Sequence, residues 1–133
     1  MSLIEVLREA RGLVSSRTQV RFTCRVCGAQ AGAIQLHGPA VRAEVRRESF
    51  TGTLHQPVTA EAFGRLRAAL AAGDAGGIFE LDPEYAPFYC PACDASYCAE
   101  HWDRWDVFDE EIPGWHDSIR GRCSYGHERM LED

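Results

Sequence analysis

Residues 90–101 read Cys90-Pro91-Ala92-Cys93-Asp94-Ala95-Ser96-Tyr97-Cys98-Ala99-Glu100-His101, and they hold two ligand pairs at two-residue spacing, Cys90/Cys93 and Cys98/His101. A third pair, Cys24/Cys27, lies far upstream, and a fourth, Cys123/His127, follows downstream. Every cysteine of the chain belongs to a pair. Six Cys and two His make eight donors, the number that fills two tetrahedral zinc ions with none left over. Three disulfides would also use six cysteines, but the short spacings and the two paired His favour metal in a reducing compartment.

At 133 residues the chain has the length of one domain, 1–133, with a modest core. Its 14 basic residues are all Arg, and it contains no Lys and no Asn. With the Ala and Gly content, this is the codon bias of a GC-rich genome and points to a bacterial source. The opening residues lack a basic segment followed by an apolar run, and no stretch approaches the roughly 20 apolar residues of a membrane span. A soluble, cytoplasmic protein with no membrane partner is expected.

The formal charge of -6 is unevenly spread. Residues 1–70 hold ten Arg against five acids, and residues 71–133 hold four Arg against fifteen. Two Cys3His sites would add about two further negative charges, because six thiolates face two divalent ions. A protein of this sign lacks the basic footprint on which phosphate-backbone affinity depends, which argues against nucleic acid as the main partner. For the acidic run itself, a solvated surface is the default reading.

Along the chain, Ser2 and Glu5 have capping-box spacing, and Leu3, Val6, Leu7 and Ala10 recur at helical intervals, so a helix is expected over about 2–11. Residues 19–23 alternate as a strand leading into Cys24-Arg25-Val26-Cys27-Gly28, a knuckle in which backbone N–H groups point at sulfur and Gly28 takes a positive φ. Residues 31–37, 41–45 and 49–55 predict an antiparallel meander. Thr59 caps a predicted helix of about 13 residues with Phe63, Leu66 and Leu70 on one face. Residues 73–77 are expected to be a flexible turn without a phosphate-loop pattern, and 78–81 a further strand. The fold class is thus α+β: a small zinc-binding domain with two interleaved sites and an insertion, 28–87, that carries its own helix and antiparallel strands.

Four pairs can share two ions in three ways. Cys90/Cys93 with Cys98/His101 makes one compact site, Cys24/Cys27 with Cys90/Cys93 makes a ribbon, and Cys24/Cys27 with Cys98/His101 interleaves the two. The five steps from Cys93 to Cys98 span at most about 17 Å, enough to reach two different ions. A strand arriving at Tyr97 and a helix starting at Glu100-His101-Trp102 fit the interleaved choice, which is favoured. His37, His55 and His116 stand outside the pairs and have a surface or hydrogen-bonded role by default. His116 is the one that could stand in for His127.

The order of four pairs, with Cys-x-x-Cys first and alternate pairs sharing a metal, resembles the cross-braced RING finger and its treble-clef relatives among ubiquitin ligases. The resemblance covers residues 24–27 and 88–129. Val26 occupies the aliphatic position with which RING fingers touch an E2 conjugating enzyme, and Trp105 lies where many carry a contacting Trp. What the resemblance implies is a partner-binding role for Val26 and Trp105 toward an E2-like protein, with no covalent step by the module itself. Without it, Val26 simply covers its knuckle, and Trp105 joins Trp102, Phe108 and Trp115 in an aromatic cluster. The sequence departs from the family in the 62 residues between Cys27 and Cys90, in the Cys-Pro-Ala-Cys second pair, and in a fourth pair followed by Glu128 and only then Arg129.

Sites filled by four protein ligands leave no position for a catalytic water, and metal-bound thiolates are not free nucleophiles. The expected function is therefore a zinc-stabilised protein-interaction module, RING-like, that positions an E2-like carrier. Two other classes stand beside it. One is a small zinc enzyme or sensor with an incomplete site that His116, Asp106 or Asp117 completes or leaves open. The other is a structural subunit whose acidic surface docks on a basic partner.

Overall fold

A computed structural model describes residues 17–132. The helix expected over 2–11 lies outside the described residues. Four strands, β1 (Arg17–Thr23), β2 (Gln30–His37), β3 (Glu44–Ser49) and β4 (Gly52–Pro57), form an antiparallel meander in the order β1-β2-β3-β4. Two helices follow, α1 (Ala60–Ala71) and α2 (Ala75–Leu81). The remainder is a short hairpin, β5 (Tyr89–Cys90) with β6 (Ala95–Ser96), and a three-stranded antiparallel sheet of β7 (Trp102–Phe108), β8 (His116–Cys123) and β9 (Glu128–Glu132). The class is α+β, as expected.

Several boundaries differ from the sequence reading. The strand expected at 41–45 is a 3-10 turn, Ala40–Arg42, followed by β3, and the one expected at 49–55 is displaced to β4. The physical reason is period-2 burial: Val45 and Arg47 face the core while Glu44, Arg46 and Glu48 face water. Thr59 does cap α1, accepting from the Ala62 N–H, and Phe63, Leu66 and Leu70 are its buried residues. Residues 75–81, by contrast, are α2 rather than a turn and a strand. Asp74 starts this helix by accepting from the Gly77 N–H at 3.0 Å, and Ile78 is its buried residue. Four apolar or bulky residues in a row do not distinguish a strand from one helical turn, and the cap decides it. The helix expected from Glu100 is a single 3-10 turn, Ala99–His101, that runs directly into strand β7.

Two cores result. The larger packs Ile34, Leu36, Val45, Leu66, Leu70, Ile78 and Phe88 between the meander and the helices. Phe22 stacks on Phe88 at 5.1 Å, and Gly32 leaves the room, since a Cβ there would overlap the Phe88 ring. The smaller core contains seven buried residues, of which four are cysteines: Cys24, Cys90, Cys98 and Cys123 beside Tyr97, Trp102 and Leu131. Hydrocarbon holds the first core, whereas the second depends on what its sulfurs are bonded to.

The aromatic cluster that is the alternative reading of Trp105 does not form. β7 points Trp102 inward, where it meets Tyr97 edge-on and donates to the Phe88 carbonyl at 3.2 Å. Trp105 is half-buried, and Phe108 and Trp115 are exposed at the far end of the β7–β8 hairpin. A hairpin separates by about 3.4 Å per residue what one turn of helix would have gathered.

Arg129 ties the two parts of the chain together. Its buried guanidinium donates to the carbonyls of Ala86 and Tyr89, both at 2.7 Å, and of Pro83 at 3.2 Å, while lying over the Phe79 ring. Burial lowers its pKa to about 10, so it stays charged at neutral pH.

Candidate metal centre

Three of the four pairs sit on hairpin turns. Cys24 and Cys27 occupy the connection of β1 to β2, Cys90 ends β5 with Cys93 in the turn to β6, and Cys123 ends β8 with His127 in the turn to β9. Cys98 and His101 flank the 3-10 turn that leads into β7. In the first turn the Cys24 N–H donates to Ala29 and the Gly28 N–H to the Cys24 carbonyl, and Gly28 has φ +74. The β8–β9 turn repeats these bonds, with the Cys123 N–H donating to the His127 carbonyl and the Gly126 N–H to the Cys123 carbonyl, and the N–H groups of Tyr125 and His127 also point at the Cys123 sulfur at 3.4 Å. In the second knuckle Asp94 takes the place that Gly28 holds in the first, with φ +50. Asp tolerates this conformation better than most residues, and its carboxylate accepts from the Tyr89 hydroxyl at 2.6 Å.

The eight side chains gather into two clusters. Cys24, Cys27, Cys98 and His101 form one, Cys90, Cys93, Cys123 and His127 the other, and the donor atoms of each lie within 4.8 Å of one another. The first pair thus meets the third, and the second meets the fourth. Cys27 and Cys98 sulfurs are 3.7 Å apart, as are those of Cys93 and Cys123. The His101 Nδ1 lies 3.5 Å from Cys24 and 3.2 Å from Cys98, and the His127 Nδ1 lies 3.2 Å from Cys93 and 3.4 Å from Cys123.

These separations fit a tetrahedral ion. Metal–sulfur bonds of about 2.3 Å and metal–nitrogen bonds of about 2.0 Å place tetrahedral S···S edges near about 3.7 Å and S···N edges near about 3.5 Å. A disulfide requires about 2.05 Å, and all six cysteines are free. Both His present Nδ1, leaving Nε2 for an outer partner.

The thiols are held at different points of their titration. Burial raises Cys24, but N–H groups of Cys98, Cys27 and Val26 outweigh it and bring the pKa to about 6. Burial likewise opposes ionisation of Cys123, and the N–H groups of His127 and Tyr125 prevail, giving about 7. Burial prevails at Cys98, which is raised, and at Cys90, which reaches about 11. Each cluster therefore pairs a thiol that ionises more easily than a free one with a buried thiol that resists a second negative charge. A divalent cation removes that resistance, since a coordinating thiol is deprotonated outright.

The Tyr97 hydroxyl supplies a further test of fit. It is buried with no hydrogen-bond partner. Burial, then its interaction with the Cys93 sulfur, raises its pKa. A metal-bound Cys93 thiolate is the acceptor that such a hydroxyl lacks. The two clusters are also joined directly: Ser124 Oγ donates to the His101 carbonyl at 2.9 Å, and the Arg25 guanidinium lies over the Tyr125 ring at 5.4 Å.

The other candidates fall elsewhere. Val26 is 50% exposed at the tip of the first knuckle. Trp105 lies mid-strand on β7 under the Arg122 guanidinium, 5.8 Å from its ring centroid. His116 bonds Asp106 at 3.0 Å in the β7–β8 hairpin and does not stand in for His127. His37 bonds Gln35 and His55 bonds Glu44. With four donors in each cluster, His116, Asp106 and Asp117 complete neither. The sequence reading gives no role to Ser124 or Asp94, takes Tyr97 only as the end of a strand arriving at Cys98, and notes Arg129 only as a departure from the RING pattern. Only Asp94 left a signal, its position after a Cys-x-x-Cys where the first knuckle has Gly.

Among the described residues, no helix is long and apolar enough to cross a membrane. Residues 14–133 match a family model described as "Domain of unknown function (DUF8328)". No curated protein and no solved structure matches the chain.

Proposed function

The chain belongs to the DUF8328 family, and from that premise we propose that it is a zinc-stabilised protein-interaction module whose two Cys3His sites are structural. The ligands would be Cys24, Cys27, Cys98 and His101 for one ion and Cys90, Cys93, Cys123 and His127 for the other. The observation that carries this reading is the donor count. Four protein donors converge on each point, so a bound ion has no position open to water or substrate. Thiolate and imidazole donors at tetrahedral separations select zinc over harder cations. When bound, zinc supplies cross-linking and charge neutralisation to a core that is otherwise largely sulfur.

Interaction as the task is supported by what the knuckles present. Val26 is half exposed and Tyr125 stands out from the second cluster beneath Arg25, so rigid turns hold apolar groups in water. The finer reading is RING-like, with Val26 and Trp105 contacting an E2-like carrier. Its Trp105 is carried on a strand, and the first basic residue after the last pair, Arg129, is spent on internal carbonyls. Zinc-loaded protein mixed with E2-like proteins tests it. Val26→Arg and Trp105→Ala should each keep two zinc ions and weaken capture. Undiminished capture by both variants removes the E2-like reading and leaves the metal assignment standing.

A further inference from the structure

The β7–β8 hairpin ends in an apolar group that the fold does not use. Phe108 is 54% exposed, Ile112 53% and Trp115 62%. They are not strewn along a loose loop. The Asp109 N–H donates to the Trp115 carbonyl at 2.8 Å and the Trp115 N–H to the Ile112 carbonyl at 3.1 Å. Asp109 Oδ1 accepts from the N–H groups of Glu111 and Ile112 at 2.7 and 2.9 Å. Phe108 pairs with His116 across the strands and meets its ring edge-on. Two aromatic rings and an isoleucine are thus held within one turn of each other by backbone hydrogen bonds, at the end farthest from the metal-ligand turn.

The same end of the hairpin is strongly anionic. Residues 106–117 contain Asp106, Asp109, Glu110, Glu111 and Asp117 and no Arg or Lys. Glu110, Glu111 and Asp117 make no ion pair among the described residues. Scattered apolar side chains on a surface need no explanation, but three large exposed ones on one hydrogen-bonded hairpin end, with the unpaired Glu110, Glu111 and Asp117 beside them in sequence, have the composition of a docking site. Aromatic faces and carboxylates share one complement, a cation on an apolar stem.

We infer that the tip of the β7–β8 hairpin, around Phe108, Ile112 and Trp115, docks a basic amphipathic segment of a partner protein, with Arg or Lys side chains over the rings and against the carboxylates. This rests on the interaction-module reading and names for it a second surface, distinct from Val26 and Trp105. Rigid presentation of the rings lowers the entropy lost on docking.

A fluorescein-labelled 16-residue peptide alternating leucine and arginine serves as the probe, with glutamate-for-arginine and serine-for-leucine peptides as controls, all against zinc-loaded protein. The expected result is saturable binding of the leucine–arginine peptide only. Trp115→Ala combined with Ile112→Ser leaves the net charge unchanged and should weaken binding by about tenfold or more. Glu110→Gln with Glu111→Gln should weaken it and flatten its salt dependence. All variants should keep the parent's zinc content, because the tip lies outside both clusters. Equal binding by the Trp115/Ile112 variant, or equal binding of the serine–arginine peptide, overturns the inference and leaves the module reading intact. Self-association of the parent through the same residues, with no peptide uptake, also overturns it. Loss of capture by Val26→Arg is a separate readout, so the two readings fail independently.

Discussion

The sulfurs of Cys27 and Cys98, 71 positions apart in the chain, lie 3.7 Å from each other. The Cys93 and Cys123 sulfurs repeat that distance across 30 positions. Residues 90–101 therefore give their first pair to one cluster and their second pair to the other, and loss of an ion bound at either would free a segment that the other only partly restrains. Closing loops this long restricts the unfolded chain more than a local site would.

Chelation should act on the two cores unequally. The larger core is hydrocarbon and the smaller is mostly cysteine. In reduced protein treated with EDTA, amide exchange should become fast over residues 96–101 and 121–131 while Ile34, Val45 and Leu66 keep their protection. Equal loss in both regions would contradict this division.

Arg129→Ala should destabilise the protein by about 3 kcal/mol in urea denaturation, because it removes the buried guanidinium's hydrogen bonds to the carbonyls of Pro83, Ala86 and Tyr89. Zinc content should remain at the parent level, since Arg129 donates to carbonyls and not to sulfur. A loss below about 1 kcal/mol would show that water replaces the guanidinium.

Gly32→Ala places a methyl group against the Phe88 ring, which itself stacks on Phe22. A cost of about 2 kcal/mol is expected from this overpacking, read by thermal or urea unfolding. Gly32→Ala with Phe88→Leu should recover part of it. No recovery would place the strain in the β2–β3 backbone instead.

The Cys/His pairs that the fold gathers into two clusters and the α+β class were legible because metal spacing and the period of α1 are local patterns. Thr59, Phe63, Leu66 and Leu70 announce that helix without any tertiary information. α2 was not legible: Ile78-Phe79-Glu80-Leu81 is as good a strand as a helix until Asp74 is seen to cap it. Trp102 and Trp105 similarly look like two members of one cluster, yet a strand sends only Trp102 into the core. Tyr97 and Arg129 acquire their roles from residues that the fold brings close from other parts of the chain, and no spacing rule records that.

The central claim is that Cys24 and Cys98 serve one ion and Cys90 and Cys123 the other. Native mass spectrometry of reduced protein from zinc-supplemented cultures tests it through paired substitutions. The parent should carry two zinc ions, Cys24→Ser with Cys98→Ser should carry one, and Cys24→Ser with Cys90→Ser should carry none. A metal-free folded parent, or a Cys24/Cys90 double variant that still holds one ion, would contradict it.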